Sequence, residues 1–136
     1  SGGLAAGTRS LPAAPDQRVA VALAPLPVSN DDFRLRHKSS ARAFFDKARA
    51  ASDAFEVVFV DSAGFLTEGT FTSLFVERDG RLLTPPLSRG LLPGILRERL
   101  IEEGRAEEAD LGTEDLADGF YLGNAVRGLI RASLCA

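Results

Sequence analysis

The stretch FEVVFVDSAGFLTEGTFTSLFVERDGRLLT, residues 55–84, carries the strongest strand signals in the chain. It opens on FEVVFVD, a nearly continuous apolar run that is typical of a strand buried on both faces. The DSAG turn leads into FLTEGTFTSLFVE, where the side chains from Phe71 to Val76 alternate between two faces, as in a strand with a packing layer on each side. Asp79-Gly80 is the clearest hairpin signal, because both residues tolerate the positive φ of a type I′ turn. The stretch therefore predicts strands joined by tight turns.

Strands and helices are also predicted on both sides of this stretch. They do not alternate regularly, which favours the α+β class over a doubly wound parallel sheet. The predicted elements are a strand over residues 18–25, a helix capped by Ser39 or Ser40, a helix from Pro93-Gly94 to Gly104, a helical turn capped by Thr113, and a strand, a loop and a further strand or short helix within residues 120–134.

Length and composition indicate a single globular domain preceded by a short leader. Of the 136 residues, 45% are hydrophobic and 26% are charged, which is ordinary for a folded domain. Residues 1–16 are rich in Gly, Ala, Pro and Ser, so they are interpreted as a flexible leader or a linker remnant, and residues 17–136 as the domain.

The charge and the rare residue types exclude several classes of function. A net charge of −3 and a pI of about 5.2 argue against nucleic-acid binding, which needs a positive field. His37 is the only histidine and Cys135 the only cysteine, so the expectation is no metal site and no internal disulfide, which fits a cytoplasmic protein. No apolar run approaches the roughly 20 residues of a membrane span.

Two charged residues are candidates for chemistry. Lys38 lies in the basic run DFRLRHKSSARAFFD, residues 32–46. Neighbouring cations lower the pKa of a lysine and so favour a reactive neutral amine, although a solvated strand edge explains such a run equally simply. Glu68 lies in LTEGT between apolar residues, either as a turn residue that faces water or as a buried carboxylate that meets a cation.

Two glycine-containing loops are candidate anion sites. Pro93-Gly94, in LLPGILR, opens the second predicted helix, whose first N–H groups are free to bind an anion. LGNAVRG offers Asn124 and Arg127 beside glycines that permit unusual backbone angles. An ordinary helix start and an ordinary turn explain the same residues.

Taken in order, the motifs RHKSSAR, TEGTFTSLF, DGRLLTPPL, LLPGILR and LGNAVRGL resemble those of the class IV aminotransferase-like enzymes, the fold type IV enzymes that use pyridoxal 5'-phosphate. That family includes branched-chain and D-amino-acid aminotransferases and aminodeoxychorismate lyase. The resemblance runs from about Arg18 to the end of the chain. It implies the large C-terminal domain of the D-amino-acid aminotransferase-like fold, an antiparallel or mixed sheet or pseudo-barrel flanked by helices. It also implies that the small N-terminal domain of the family is absent, and that the protein is a homodimer acting on a small molecule.

The resemblance implies roles for the charged residues. Lys38 matches the lysine that forms the Schiff base with the cofactor and moves protons at the substrate. Glu68 matches the glutamate that holds the protonated pyridine nitrogen. Arg36 and Arg127 are the expected ligands of substrate carboxylates.

It also implies a binding site for the cofactor phosphate. Gly94, Ile95 and Leu96 match the segment whose backbone N–H groups bind the phosphate. Asn124 and Ala125 match the loop that lies near the phosphate and the substrate carboxylate.

Within the family, RHKSSARAFFD, LLPGILRERLIEEG and GNAVRGL look most like aminodeoxychorismate lyase, in particular lyase domains fused behind the chorismate-aminating component of p-aminobenzoate synthesis. The implied reaction releases pyruvate from 4-amino-4-deoxychorismate to give p-aminobenzoate. A branched-chain or D-amino-acid aminotransferase is the alternative, and a non-catalytic domain of the same fold is a third. Many relatives have Asn where this chain has Ser73, and hydroxyl residues where it has Leu96 and Ala125.

Overall fold

The computed structural model of the chain describes residues 18–36 and 38–135, without the side chains of residues 36, 38–42 and 44. The predicted leader, residues 1–16, lies outside this part. The strands are β1 (Val19–Pro25), β2 (Glu56–Val60), β3 (Leu66–Gly69), β4 (Ser73–Arg78), β5 (Arg81–Thr84), β6 (Ala106–Glu108), β7 (Phe120–Asn124) and β8 (Gly128–Leu134). The helices are α1 (Lys38–Ala50) and α2 (Ile95–Glu102), and short 3-10 helices cover Phe33–Arg36, Leu87–Arg89 and Thr113–Leu116.

All of these strands belong to one mixed sheet in the order β3-β2-β1-β8-β7-β4-β5-β6. Strand β1 is parallel to β2 and to β8, and β5 is parallel to β6, whereas the other pairs are antiparallel. Helix α1 supplies the crossover that a parallel β1–β2 pair needs. The predicted α+β class with a mixed sheet is confirmed.

The sheet curls into a half-barrel because of the connection between β3 and β4. In the sheet these strands are separated by the four strands β2, β1, β8 and β7, yet only residues 70–72 join them along the chain. The Gly69 N–H donates to the Thr72 carbonyl oxygen at 2.9 Å, so the two strand ends meet directly. A flat sheet could not bring them together.

Residues 55–84 form four consecutive strands, largely as their pattern predicts. The first of these strands has Glu56 through Phe59 fully buried. The hairpin at Asp79-Gly80 is confirmed by φ values of 55° and 79°. However, the segment after the DSAG turn is two strands with different partners, because β3 pairs with β2 while β4 pairs with β5 and β7.

Several predicted element boundaries are wrong. Helix α1 begins at Lys38, so Ser39 and Ser40 lie inside it and do not cap it. The helical turn after residue 112 is capped by Gly112, whose N–H donates to Asp115 Oδ2 at 2.8 Å, and not by Thr113. Strand β6 was not predicted, because its sequence AEE has no strand pattern. Its pairing with β5 holds it extended.

Each helix packs on the sheet through a few apolar residues. Phe45 of α1 stacks on Phe59 of β2 with ring centroids 5.1 Å apart, within a cluster that includes Leu35 and Val57. Helix α2 buries Leu96 and Leu100 against Phe75 and Ala106. Among the described residues, no helix is long and apolar enough to cross a membrane.

Candidate functional site

One cavity of about 510 Å³ lies where three distant chain segments meet. Residues 68–73 follow from β3 into β4, residues 92–96 lead into α2, and residues 124–126 run from the end of β7 into the β7–β8 turn. Phe45 of α1 completes the lining. All the predicted cofactor residues whose side chains are described line it, namely Glu68, Gly94, Ile95, Leu96, Asn124 and Ala125.

Glu68 places a buried carboxylate at this cavity. Strand β3 is short and buried throughout, and Glu68 is only 5% exposed, so it is not a turn residue that faces water. Within the described part of the chain, its donor is the Leu92 N–H, which lies 3.4 Å from each carboxylate oxygen. Burial raises the pKa of Glu68 well above its usual range, the Leu92 N–H opposes this shift, and the nearby Glu56 charge adds to it.

The N-terminus of α2 opens toward the same cavity. Gly94 is the N-cap and has no side chain that could cover the helix end. Its own N–H donates to the Leu92 carbonyl oxygen at 2.9 Å. The N–H groups of Ile95 and Leu96 belong to the first turn, where no intrahelical acceptor exists, so they are the donors available to an anion.

Asn124 organises the turn between β7 and β8. Its Nδ2 donates to the Phe71 carbonyl oxygen at 2.9 Å, across to the β3–β4 connection. Its Oδ1 accepts the N–H groups of Val126 at 3.1 Å and Arg127 at 2.8 Å. This single side chain therefore fixes the shape of the turn and ties it to the opposite wall of the cavity.

Of the three predicted basic residues, only Arg127 has a described side chain, and its contact with the cavity is indirect. The Arg127 guanidinium lies 5.6 Å from the ring centroid of Phe55 and 5.9 Å from that of Phe71, a ring that lines the cavity. Arg127 itself is exposed and does not line it. Arg36 ends a 3-10 helix and Lys38 begins α1, but their side chains lie outside the described part.

Sequence reasoning missed Glu56, which lies behind the cavity wall. This glutamate is 0% exposed and accepts hydrogen bonds from residues 70–72, which line the cavity. The available signal was a charged residue inside a continuous apolar strand, since such a charge is stable only where donors surround it.

The chemistry of the lining fits pyridoxal 5'-phosphate. Glu68 has unused acceptor capacity, and its raised pKa reflects the cost of burying a negative charge. A cationic N–H group of a ligand would fill that capacity and offset that cost. The first turn of α2 supplies donors for a phosphate. The volume of about 510 Å³ is in the usual range for small-molecule sites.

Comparisons with known proteins agree with this chemistry. The model of the family described as amino-transferase class IV matches residues 4–135. A Schizosaccharomyces pombe protein provisionally named an aminodeoxychorismate lyase is 35% identical over 81 residues, which are 56% of this chain and 35% of that protein. A Thermotoga maritima protein named as a probable branched-chain-amino-acid aminotransferase is 35% identical over 60 residues, 44% of this chain and 22% of that one.

A solved structure is similar over most of the chain. A Mesorhizobium loti protein provisionally described as an amino-acid aminotransferase superimposes with a TM-score of 0.82 at 42% identity, over 91% of this chain and 63% of that one. The chain spans between about a fifth and about two thirds of the length of these three proteins.

Proposed function

Because the chain belongs to the amino-transferase class IV family, whose enzymes depend on pyridoxal 5'-phosphate, we propose that it binds this cofactor in the cavity and serves an aminodeoxychorismate lyase-like reaction. The reaction would release pyruvate from 4-amino-4-deoxychorismate and leave p-aminobenzoate. One observation carries the proposal: the fold brings the Glu68 carboxylate, the α2 N-terminus and the Asn124 turn to one cavity of suitable volume.

When bound, the cofactor supplies an electron sink for a carbanion at the substrate. Glu68 would hold a proton on the pyridine nitrogen, because an ionised carboxylate in this buried position gains most from a cationic partner. The N–H groups of Ile95 and Leu96 would bind the phosphate.

The remaining roles concern the substrate. Lys38 would hold the cofactor covalently and then carry a proton to and from the substrate carbon next to nitrogen. The Asn124-Ala125 turn would orient the substrate beside the phosphate. Arg36 and Arg127 would bind substrate carboxylates.

The choice of the lyase rests on the motifs RHKSSARAFFD, LLPGILRERLIEEG and GNAVRGL and on the 35% identity with the S. pombe protein. An aminotransferase acting on a branched-chain or D-amino acid is the second candidate, and the likeness to the M. loti and T. maritima proteins favours it. Under the same proposal, the protein is a cytoplasmic homodimer. It is fused to, or associates with, a component that aminates chorismate.

Cofactor binding is tested first. Titration with pyridoxal 5'-phosphate should give a near-visible absorbance band, and borohydride should fix the cofactor to Lys38, as located by mass mapping. Lys38→Ala should abolish the fixed adduct. Lys47→Ala is the matched control, because Lys47 is an exposed lysine near the other end of the same helix. An unchanged spectrum and adduct in Lys38→Ala would remove Lys38 from the proposal.

The reaction is tested by its products. With 4-amino-4-deoxychorismate, the lyase releases pyruvate and p-aminobenzoate in equal amounts. An aminotransferase instead moves an amino group from an amino acid to a 2-oxo acid and releases neither. Transfer without pyruvate release would replace the first candidate with the second.

A further inference from the structure

Glu56 is a fully buried carboxylate whose two oxygens are surrounded by donors. Its Oε1 accepts the N–H groups of Val57 at 2.8 Å and Thr70 at 3.0 Å, and also the Thr70 hydroxyl. Its Oε2 accepts the Phe71 N–H at 3.0 Å and the Thr72 hydroxyl at 2.8 Å. Four of these five donors come from residues 70–72, which line the cavity, whereas Glu56 does not line it.

The chain leaves room for this carboxylate by having glycine at position 69. A Cβ added to Gly69 would lie 2.7 Å from Glu56 Cδ and 2.7 Å from Thr72 Oγ1, closer than real contacts allow. The Glu56 side chain therefore occupies the space beneath the β3–β4 connection. The backbone of residues 69–72 is closed around it.

The Phe71 peptide continues this hydrogen-bonded chain to the opposite loop. Its N–H donates to Glu56, and its carbonyl oxygen accepts the Asn124 side chain. Asn124 in turn holds the N–H groups of Val126 and Arg127. A single path thus runs from Glu56 through the β3–β4 connection to the β7–β8 turn, and both loops line the cavity.

We propose that Glu56 is a positioning residue for the cofactor cavity, which fixes the β3–β4 connection and, through Asn124, the β7–β8 turn. The part of this proposal that concerns the cofactor rests on the proposed function. The geometric part concerns only residues of this chain.

Asp61 provides a matched comparison within the same fold. It follows the other end of β2, its side chain is 1% exposed, and it accepts the N–H groups of Ala63 at 3.0 Å and Phe65 at 2.9 Å. Asn30 and Arg89 donate to it as well, at 3.0 and 3.2 Å. None of these residues lines the cavity. The two carboxylates are thus alike in burial and saturation and differ in what they hold.

The test is amide hydrogen exchange in the cofactor-free protein, comparing Glu56→Gln with Asp61→Asn. Gln has an NH₂ group in place of one carboxylate oxygen, and each of the two oxygens of Glu56 accepts at least one backbone N–H. In Glu56→Gln, at least one of these N–H groups would therefore face another donor. Exchange at Phe71, Val126 and Arg127 should therefore quicken by about tenfold or more in Glu56→Gln and stay within about twofold in Asp61→Asn. Asp61→Asn should instead quicken Ala63 and Phe65. Unchanged exchange at Val126 and Arg127 in Glu56→Gln, or an equal change there in Asp61→Asn, would overturn the positioning role.

Two variants of Thr72 perturb the site less and test the proposal if Glu56→Gln does not fold. Thr72→Val keeps the side-chain shape but removes one donor to Glu56, whereas Thr72→Ser keeps the hydroxyl. Thr72→Val should quicken exchange at Phe71 and Val126, and Thr72→Ser should restore the native rates. Equal rates in the two variants would contradict the proposal.

Cofactor affinity gives the second measurement. The dissociation constant for pyridoxal 5'-phosphate should rise about tenfold in Glu56→Gln and little in Asp61→Asn. Quicker exchange with an unchanged dissociation constant would show that Glu56 holds the loops without positioning them for the cofactor. Failure of the unaltered protein to bind the cofactor would sink the proposed function, while the exchange data would still decide whether Glu56 fixes the two loops.

Discussion

Glu56 and Glu68 are buried glutamates on neighbouring strands, and their surroundings are opposite. Glu56 accepts five hydrogen bonds from residues 57 and 70–72. Glu68 accepts one described N–H, from Leu92, at the long distance of 3.4 Å to each oxygen. Glu68 lines the cavity, whereas Glu56 lies behind its wall.

The difference separates an architectural carboxylate from one available to a ligand. A buried acceptor that protein donors have saturated has little to gain from a ligand. A buried acceptor with spare capacity is costly in the empty protein and becomes favourable when a ligand brings a cation and a donor. Burial alone would not have distinguished the two.

The largest expected effect is on cofactor chemistry in Glu68→Gln. The amide keeps the shape of the side chain but carries no negative charge, so it cannot hold a proton on a pyridine nitrogen. The rate of the cofactor-dependent reaction, measured as pyruvate release, should therefore fall by about 10²-fold or more. Steady-state kinetics and the absorbance band measure this loss. Glu77→Gln, which alters an exposed carboxylate on β4, is the control. A Glu68→Gln enzyme as active as the unaltered one would remove Glu68 from the site.

The next effect concerns stability, for which Glu56 should matter more than Glu68. Glu56→Ala leaves the buried N–H groups of Val57 and Thr70 and the partly buried N–H of Phe71 without their acceptor, which should lower the free energy of unfolding by about 3–5 kcal/mol. Glu68→Ala should cost less than about 1 kcal/mol in the cofactor-free protein, because its carboxylate is poorly satisfied there. Urea unfolding of both variants measures this difference, and equal losses would contradict the comparison.

Glu68 should also make the stability of the cofactor-free protein depend on pH. Its pKa in the folded state is raised above the ordinary value of 4.5, so the folded state holds a proton that the unfolded state releases. The free energy of unfolding should therefore fall as pH rises above about 4.5, by at most about 1.4 kcal/mol per pH unit.

The difference between the unaltered protein and Glu68→Gln isolates this contribution. The pKa values of Asp61, Asp110 and Asp115 are lowered by hydrogen bonds and ion pairs, so these groups titrate below that range and cancel between the two proteins. Urea unfolding between pH 5 and pH 8 should show a falling curve that is flatter in Glu68→Gln. Parallel curves would refute the assignment.

The smallest effects concern hydroxyl groups at the opposite side of the cavity. Ala125 is exposed, so Ala125→Thr should leave stability within about 0.5 kcal/mol and raise affinity for the cofactor up to about fivefold by adding a donor. Ala125→Val, which has the shape of Thr without its hydroxyl, is the control. A gain shared by Ala125→Val would show that the hydroxyl does not act.

The sequence predicted those features that local pattern controls. The Asp79-Gly80 turn, the buried run at residues 56–59 and the helix capped by Gly94 each depend on a few adjacent residues. The resemblance of the ordered motifs also indicated the family, and it predicted six of the residues that line the cavity. The sequence pattern has its limits as well. It did not predict β6, whose extended backbone comes from its neighbour β5 and not from its own residues.

By itself, then, the sequence determined where most strands and turns lie and the α+β class, because side-chain periodicity and turn chemistry act over a few residues. The family followed from the resemblance of its ordered motifs to those of known enzymes. Only the tertiary structure decided that Glu68 is buried at a cavity and that Glu56 anchors its wall. Those outcomes depend on donors 14 to 24 positions away in the chain. A buried charge is stable or costly according to the groups that folding brings around it, and no local pattern records them.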